Sequence, residues 1–244
     1  MYGVLLVVAL LLTAHFAWKY SGSNAWELEI DKRGIQVYTL KKPGSTLKDV
    51  RTVRRVKTTL NRAVAAMTSI ETEDCAEWGP GCEAIKTVQP WNPKDLSYIQ
   101  LYRMAYPKPY APREFLINAK VTQDPRSKVV LVDFTVLPDA LPRNECCARM
   151  TVFHDTWRFT PMRDGEVEVE LTAHLDPGVP YPLFNRLVPI AFYRFFNRGL
   201  DKYLNKEKFQ QARFEGIEEK YQQATFEGSD EQIQQARLVG IPAK

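Results

Sequence analysis

The chain has 244 residues, 45% of them hydrophobic, with 33 Lys and Arg against 29 Asp and Glu. That length suits one globular domain with extensions, and a folded part of about 180 residues buries roughly 70% of its unfolded surface. A net charge of +4, evenly spread, argues against nucleic acid as a partner, because such binders need a concentrated basic face against phosphates.

Residues Tyr2 to Trp18 carry no charge and include an apolar run from Val4 to Leu12. A core of 10–14 apolar residues is short for a membrane-spanning helix and suits a signal peptide. Ser23 and Ala25 then offer small side chains where cleavage would be read. No Lys or Arg precedes the apolar run, and Lys19 follows it, so an uncleaved anchor and a buried helix both stay open. A signal or an anchor would place the domain outside the cytoplasm (in the periplasm, if bacterial) or on a membrane.

Ile35–Leu40 alternates, Lys42-Pro-Gly44 turns, and Leu47–Val56 is extended again, which predicts a hairpin. The densest basic stretch, Arg51 to Lys57, alternates with Val53 and Val56 and reads as a solvated strand edge. From Thr58 the period becomes helical, with Leu60, Val64 and Met67 on one face and Thr58 or Thr59 as cap. Residues 77–94, rich in Trp, Gly and Pro, read as a loop. Strands follow at 96–106, 114–121, 128–137 and 149–159. The clearest is Glu166–Leu175, where Val167, Val169, Leu171, Ala173 and Leu175 face one way and charged or polar residues the other. This run of strands predicts an antiparallel meander in an α+β fold.

A long helix is expected over 183–204, with Pro182 near its start and a kink at Pro189. Phe184, Val188, Ala191, Phe192, Phe195 and Gly199 share one stripe of it. The segment 206–244 is read as a helical or disordered tail, carrying three copies of a Gln-Gln-Ala motif at a period of 12.

Cys75 and Cys82 bracket a Gly-Pro-Gly turn, and both a disulfide and two free thiols stay open. Cys146 and Cys147 are adjacent; because a vicinal disulfide is strained, two thiols on opposite faces of a strand are expected. No zinc spacing appears, so neither a metal nor a cofactor is expected.

Several segments, in order, resemble the START domain family of lipid-transfer proteins. Trp26 with Arg33–Tyr38 resembles its opening strand, and Ala111-Pro-Arg-Glu-Phe115 its Arg-Asp-Phe element, with Glu114 for Asp. Trp157–Pro161 resembles its penultimate strand, and Leu175-Asp-Pro-Gly-Val-Pro180 followed by Leu183-Phe-Asn-Arg186 its signature before the last helix. Over residues 26–205 the resemblance implies a helix-grip fold, a curved antiparallel sheet around a long C-terminal helix with an internal hydrophobic cavity. Residues 1–25 would then be the signal or anchor.

The expected function is binding a lipid or sterol-like ligand and carrying it between donor and acceptor membranes. Cavity candidates are Phe184, Val188, Ala191, Phe192 and Phe195 of the helix, with Phe134 and Trp157 from strands. Arg103 is expected to meet a polar head group, while the alternation Val130–Val136 puts Asp133 on the opposite face. The loop Asp176, Pro177, Gly178 and Pro180, with the helix behind it, is expected to act as a gate. No catalytic residue is assigned, because His15, His154 and His174 each stand without a nucleophile or second ligand in any motif. Two other classes stay open: a helix-grip enzyme of cyclase or hydrolase type, and a membrane-tethered adaptor with a filled interior.

Overall fold

The computed structural model describes residues 2–70, 72–78, 81–163, 165–198, 200–214 and 216–219, apart from the side chains of Ala76 and Trp78. An apolar helix, α1 (Tyr2–Tyr20), precedes a sheet built from β1 (Trp26–Lys32), β2 (Ile35–Lys41), β3 (Lys48–Val56), β4 (Cys82–Asn92), β5 (Ser97–Met104), β6 (Arg113–Gln123), β7 (Val130–Val136), β9 (Phe153–Pro161) and β10 (Val167–Leu175). A two-residue strand, β8 (Ala148–Arg149), pairs in parallel with β6. The remaining helices are α2 (Leu60–Thr68), α3 (Cys75–Trp78), α4 (Tyr181–Asn197) and α5 (Leu200–Leu204).

The strand order is β1-β2-β3-β10-β9-β7-β6-β5-β4, antiparallel throughout. The chain thus makes a meander from β4 to β10, interrupted by β8, and closes it against β3. Alternation in β10 works as expected: Val167, Val169, Leu171 and Ala173 are buried, while His174 is exposed. In β9 the same period puts Phe153, Asp155, Trp157 and Phe159 on the inner face and His154 and Arg158 outside.

Two layers cover that inner face. Helix α4 lies on β1, β2 and β3, and α2 packs on β7 and β9 beside α5. Thr59 caps α2, its hydroxyl accepting from the Arg62 amide at 3.3 Å, and the helix is buried nearly all round. The expected apolar triad Leu60, Val64 and Met67 is in the core. Trp157 stacks on Phe196 of α4 (centroids 5.8 Å apart) and on Phe159 (6.2 Å). Each such pair adds about 0.5–1.5 kcal/mol beyond burial.

The structure differs from expectation at several places. Residues 82–92 form a strand, not a loop; β4 is an edge strand, where Pro90 takes no part in the pairing with β5. The long last helix is divided, α4 ending at Asn197 and α5 starting at Leu200, and Pro189 sits inside α4 without ending it. The boundary expected at 205 falls within packed chain. Phe209 and Ile217 are buried, the Phe214 ring meets Trp91, and Glu219 accepts from the Leu60 and Asn61 amides at the start of α2. The second and third copies of the repeat, at 222–240, lie outside the described residues, as does Gly199.

Cys75 and Cys82 form a disulfide. So do Cys146 and Cys147, which corrects the expected pair of thiols. The reason is local: Cys146 sits in a turn of the β7–β8 connection, where successive side chains need not diverge as they do in a strand.

Candidate functional site

The inner face is not packed evenly from end to end. At the end under α2, Val130, Phe159, Val167 and Val169 are all sealed from solvent. At the other end, Met104, Val136, Phe153, Leu175, Val179 and Phe192 pack on the core yet are only partly buried. These residues come from the ends of β5, β7 and β10, the start of β9, the loop after β10 and the middle of α4. Antiparallel pairing brings the strand ends to one rim. An opening of about 200 Å3 lies at this rim, lined by Arg113, Ala148, Arg149, Met150, Thr151, Asp176, Pro177 and Gly178.

Arg113 governs the rim. It is buried at the first position of β6, with its guanidinium 4.7 Å from the centre of the Tyr106 ring. Its Nε donates to the Pro177 carbonyl at 2.5 Å, Nη2 to the Gly178 carbonyl at 3.3 Å, and Nη1 to the Ala111 carbonyl. Asp176 closes its own turn by accepting from the Gly178 amide at 2.8 Å. Gly178 takes a φ of +66°, which suits glycine there. The loop named as a gate from sequence is therefore held to the sheet by one arginine fork.

Beside it, Glu114 and Arg149 form an ion pair at 2.5 Å with both side chains almost fully buried. Arg149 also donates to the carbonyls of Pro138, Leu141 and Pro142, and Asn144 donates to Glu114. The pair thereby ties down the long β7–β8 connection that carries the Cys146–Cys147 bridge. A buried pair of this kind survives only with its remaining polar positions satisfied, which these carbonyls do.

Deeper on the same face lies Asp155, opposite Phe134 of β7 and Ala173 of β10. Its Oδ1 is out of contact with solvent and has no hydrogen-bond partner. Burial raises its pKa from 3.8 to about 8, so the carboxyl is largely protonated at neutral pH.

The sequence-derived candidates fall as follows. Trp157, Phe184 and Val188 are buried between sheet and α4, Phe192 and Phe195 are half-buried there, and Phe134 is buried against Tyr98 of β5. Phe195 meets Trp157 edge-to-face at 6.0 Å. Ala191 is exposed, because the face of α4 that meets the sheet is centred nearer Val188, Phe192 and Phe196. Arg103 is a further correction. Tyr98, Gln100 and Tyr102 take the inner positions of β5, so Arg103 points outward and pairs with Glu83 at 3.1 Å. Asp133 is outside as expected, accepting from Thr156 and bonded to His154 at 2.7 Å. His174 also lies outside, bonded to Asp49 at 2.6 Å. Among the described residues no cluster of three metal-binding side chains occurs.

Sequence reasoning missed Asp155 and the role of Arg113. Asp155 sits between His154 and Thr156, so it reads as part of a polar stretch; only the phase set by Trp157 and Phe159 turns it inward.

An antiparallel sheet gripped against α4, opening at one rim under a tethered loop, is a helix-grip domain. The START domain family profile matches residues 11–208, and the chain belongs to that family, whose domains generally bind hydrophobic ligands. Among solved structures, a STAR-related lipid transfer protein fragment from Xanthomonas axonopodis aligns with a TM-score of 0.66 at 22% identity, covering 74% of this chain and 99% of that one. Human StAR-related lipid transfer protein 5 aligns at 0.58 and 15% identity, covering 82% and 95%. Human STARD10 aligns at 0.60 and 12%, covering 79% and 78%. These likenesses concern the fold. No curated protein matches the chain.

Proposed function

We propose that the protein binds one lipid or sterol-class molecule between the sheet and α4 and exchanges it with a membrane through the rim at Asp176–Pro180. The observation that carries this reading is a rim of partly buried apolar side chains on the same sheet face as Asp155, whose buried Oδ1 has no hydrogen-bond partner. Apolar walls supply affinity, at about 25 cal/mol per Å2 of surface removed from water. Asp155 supplies the polar contact that fixes one end of the ligand, donating its proton to a hydroxyl or carbonyl oxygen. The opening of about 200 Å3 is smaller than the roughly 300–1,000 Å3 that drug-sized ligands fill. Loading therefore entails outward movement of the loop and α4.

An enzyme reading draws on Asp155 as well, since a carboxyl titrating near 8 is a general acid at neutral pH. The carrier is favoured because the sheet's two histidines, the residues best suited to act as base, are on the outer face.

The test is extraction of the purified protein with organic solvent and mass spectrometry of the extract. A stoichiometric lipid supports the carrier and names its class. A protein that yields none, and takes up no sterol, fatty acid or phospholipid, refutes it.

A further inference from the structure

Helix α1 has 19 residues, is long and apolar enough to cross a membrane, and is not buried by the domain. Its last turn is another matter. The Trp18 indole N–H donates to the Thr46 carbonyl at 2.8 Å, and its ring lies parallel to that of Tyr181, the first residue of α4, at 6.3 Å. His15 meets the same tyrosine at 5.6 Å. The Lys19 carbonyl accepts from the Gly44 amide at 2.8 Å.

Lys41, at the end of β2, completes the attachment. Its ammonium is 5.1 Å from the centre of the Trp18 ring and donates to the carbonyls of Lys19, Ser21 and Lys42 at 3.0–3.3 Å. Two of its three acceptors thus come from the segment that signal cleavage would discard. Gly22, at φ +121°, lies so close that a Cβ there would meet the Lys41 carbonyl oxygen at 2.3 Å. A leader destined for removal has no reason to complete the hydrogen bonding of a lysine in the folded domain.

The Thr46 carbonyl also accepts from Asn185 of α4 at 2.8 Å, so one oxygen joins the end of α1 to the start of α4. Next to this junction, α4 turns Leu183, Leu187 and Ile190 outward, each at least 40% exposed. At 100° per residue they share one face with Arg186, Arg194 and Arg198, also exposed. An apolar strip framed by arginines is the pattern of a helix lying in an anionic bilayer surface.

We infer that α1 is a retained membrane anchor, clasped by Lys41, Thr46 and Tyr181, and that the clasp sets the outer face of α4 on the surface of an anionic bilayer. The gate then opens beside the membrane to which the protein is tethered. The inference holds whatever the cargo is, so it stands or falls apart from the lipid-carrier reading.

The test uses the full chain in a cell that exports it. Intact-mass measurement should find residues 1–25 present, in a protein released from membranes by detergent and not by alkaline carbonate. A soluble chain beginning near residue 26 overturns the anchor. For the orientation, the described cysteines are all in disulfides, so Leu187→Cys accepts a single spin label in the full chain, reconstituted in phosphatidylcholine–phosphatidylglycerol nanodiscs. The expected result is a label severalfold more accessible to oxygen than to a polar nickel complex. Added Trp18→Ala should return it towards water without detaching the protein, while Trp18→Phe, which keeps the ring, should move it less. A label in bulk water in the parent, or one indifferent to Trp18→Ala in a variant whose near-ultraviolet dichroism shows an intact fold, overturns the clasp.

Discussion

Arg113 holds the loop after β10 through the carbonyl of Pro177: a donor at the first position of β6 and an acceptor two residues past the end of β10 meet at 2.5 Å. They are 64 positions apart in the chain, and the bond is buried. With the bonds to Ala111 and Gly178, one side chain fastens the rim at three points.

Replacing Arg113 with Ala leaves the buried Pro177 carbonyl without this donor, at about 1–3 kcal/mol, and frees the part-buried carbonyls of Ala111 and Gly178. Arg113→Ala is expected to lower the melting temperature by several degrees and to speed release of bound ligand. Arg113→Lys keeps the charge and loses the fork, so it should restore only part of both. Thermal melts and lipid exchange between vesicles measure the two effects; unchanged exchange with lowered stability would make the arginine purely structural.

Asp155 makes stability depend on pH in a particular direction. Its folded pKa, about 8, is raised above the ordinary 3.8. Between those values the folded state holds a proton that the unfolded state gives up, so this group's contribution to stability is complete below about pH 4. It is lost progressively as pH rises and is gone above about pH 8. Asp155→Asn should remove that slope and raise stability at pH 8, by something on the order of 2 kcal/mol relative to wild type. Melts at pH 5 and pH 8 decide this. A wild type no less stable at pH 8 relative to the variant would show the carboxyl to be ionised in the fold.

The Glu114–Arg149 pair should behave asymmetrically. Glu114→Gln strands a buried guanidinium and is expected to cost about 3–5 kcal/mol, whereas Glu114→Gln with Arg149→Met should cost less than the two single changes added together. A double-mutant cycle by denaturant unfolding tests it, and simple additivity would mean that the two residues act independently.

The disulfides make a chemical prediction. The unreduced protein should take up no alkylating reagent under denaturing conditions and four equivalents after reduction, because all four cysteines are paired. Two equivalents before reduction would show one bridge to be absent, and peptide mapping would say which.

Much of this was legible from residue order because periodicity is a local property. The period of two in Glu166–Leu175, the helical period after Thr59 and the Asp176–Pro180 loop all appear in the structure close to where sequence reading puts them. Alternation divides a strand into two faces, and where one face is wholly apolar it also says which is inside. It fails where both faces are mixed. Arg103 and Asp155 each stand in such a strand, and they exchange roles: the expected pocket cation is outside, and an acid that reads as part of a polar run is inside.

What the sequence alone determined about this protein was the alternation of β10, the helical period of α2, the resemblance to its family and the loop at Asp176–Pro180, since each rests on neighbours within a few residues. Tertiary structure decided which charges are buried, that Arg113 reaches Pro177, that residues 82–92 become an edge strand and that Trp18 lies on Tyr181. Those facts depend on pairings between segments, from the β4–β5 hairpin to contacts more than a hundred residues apart, which the period of a single segment does not encode. Burial then assigns each polar group a partner or leaves it, as it leaves Asp155 Oδ1, with none.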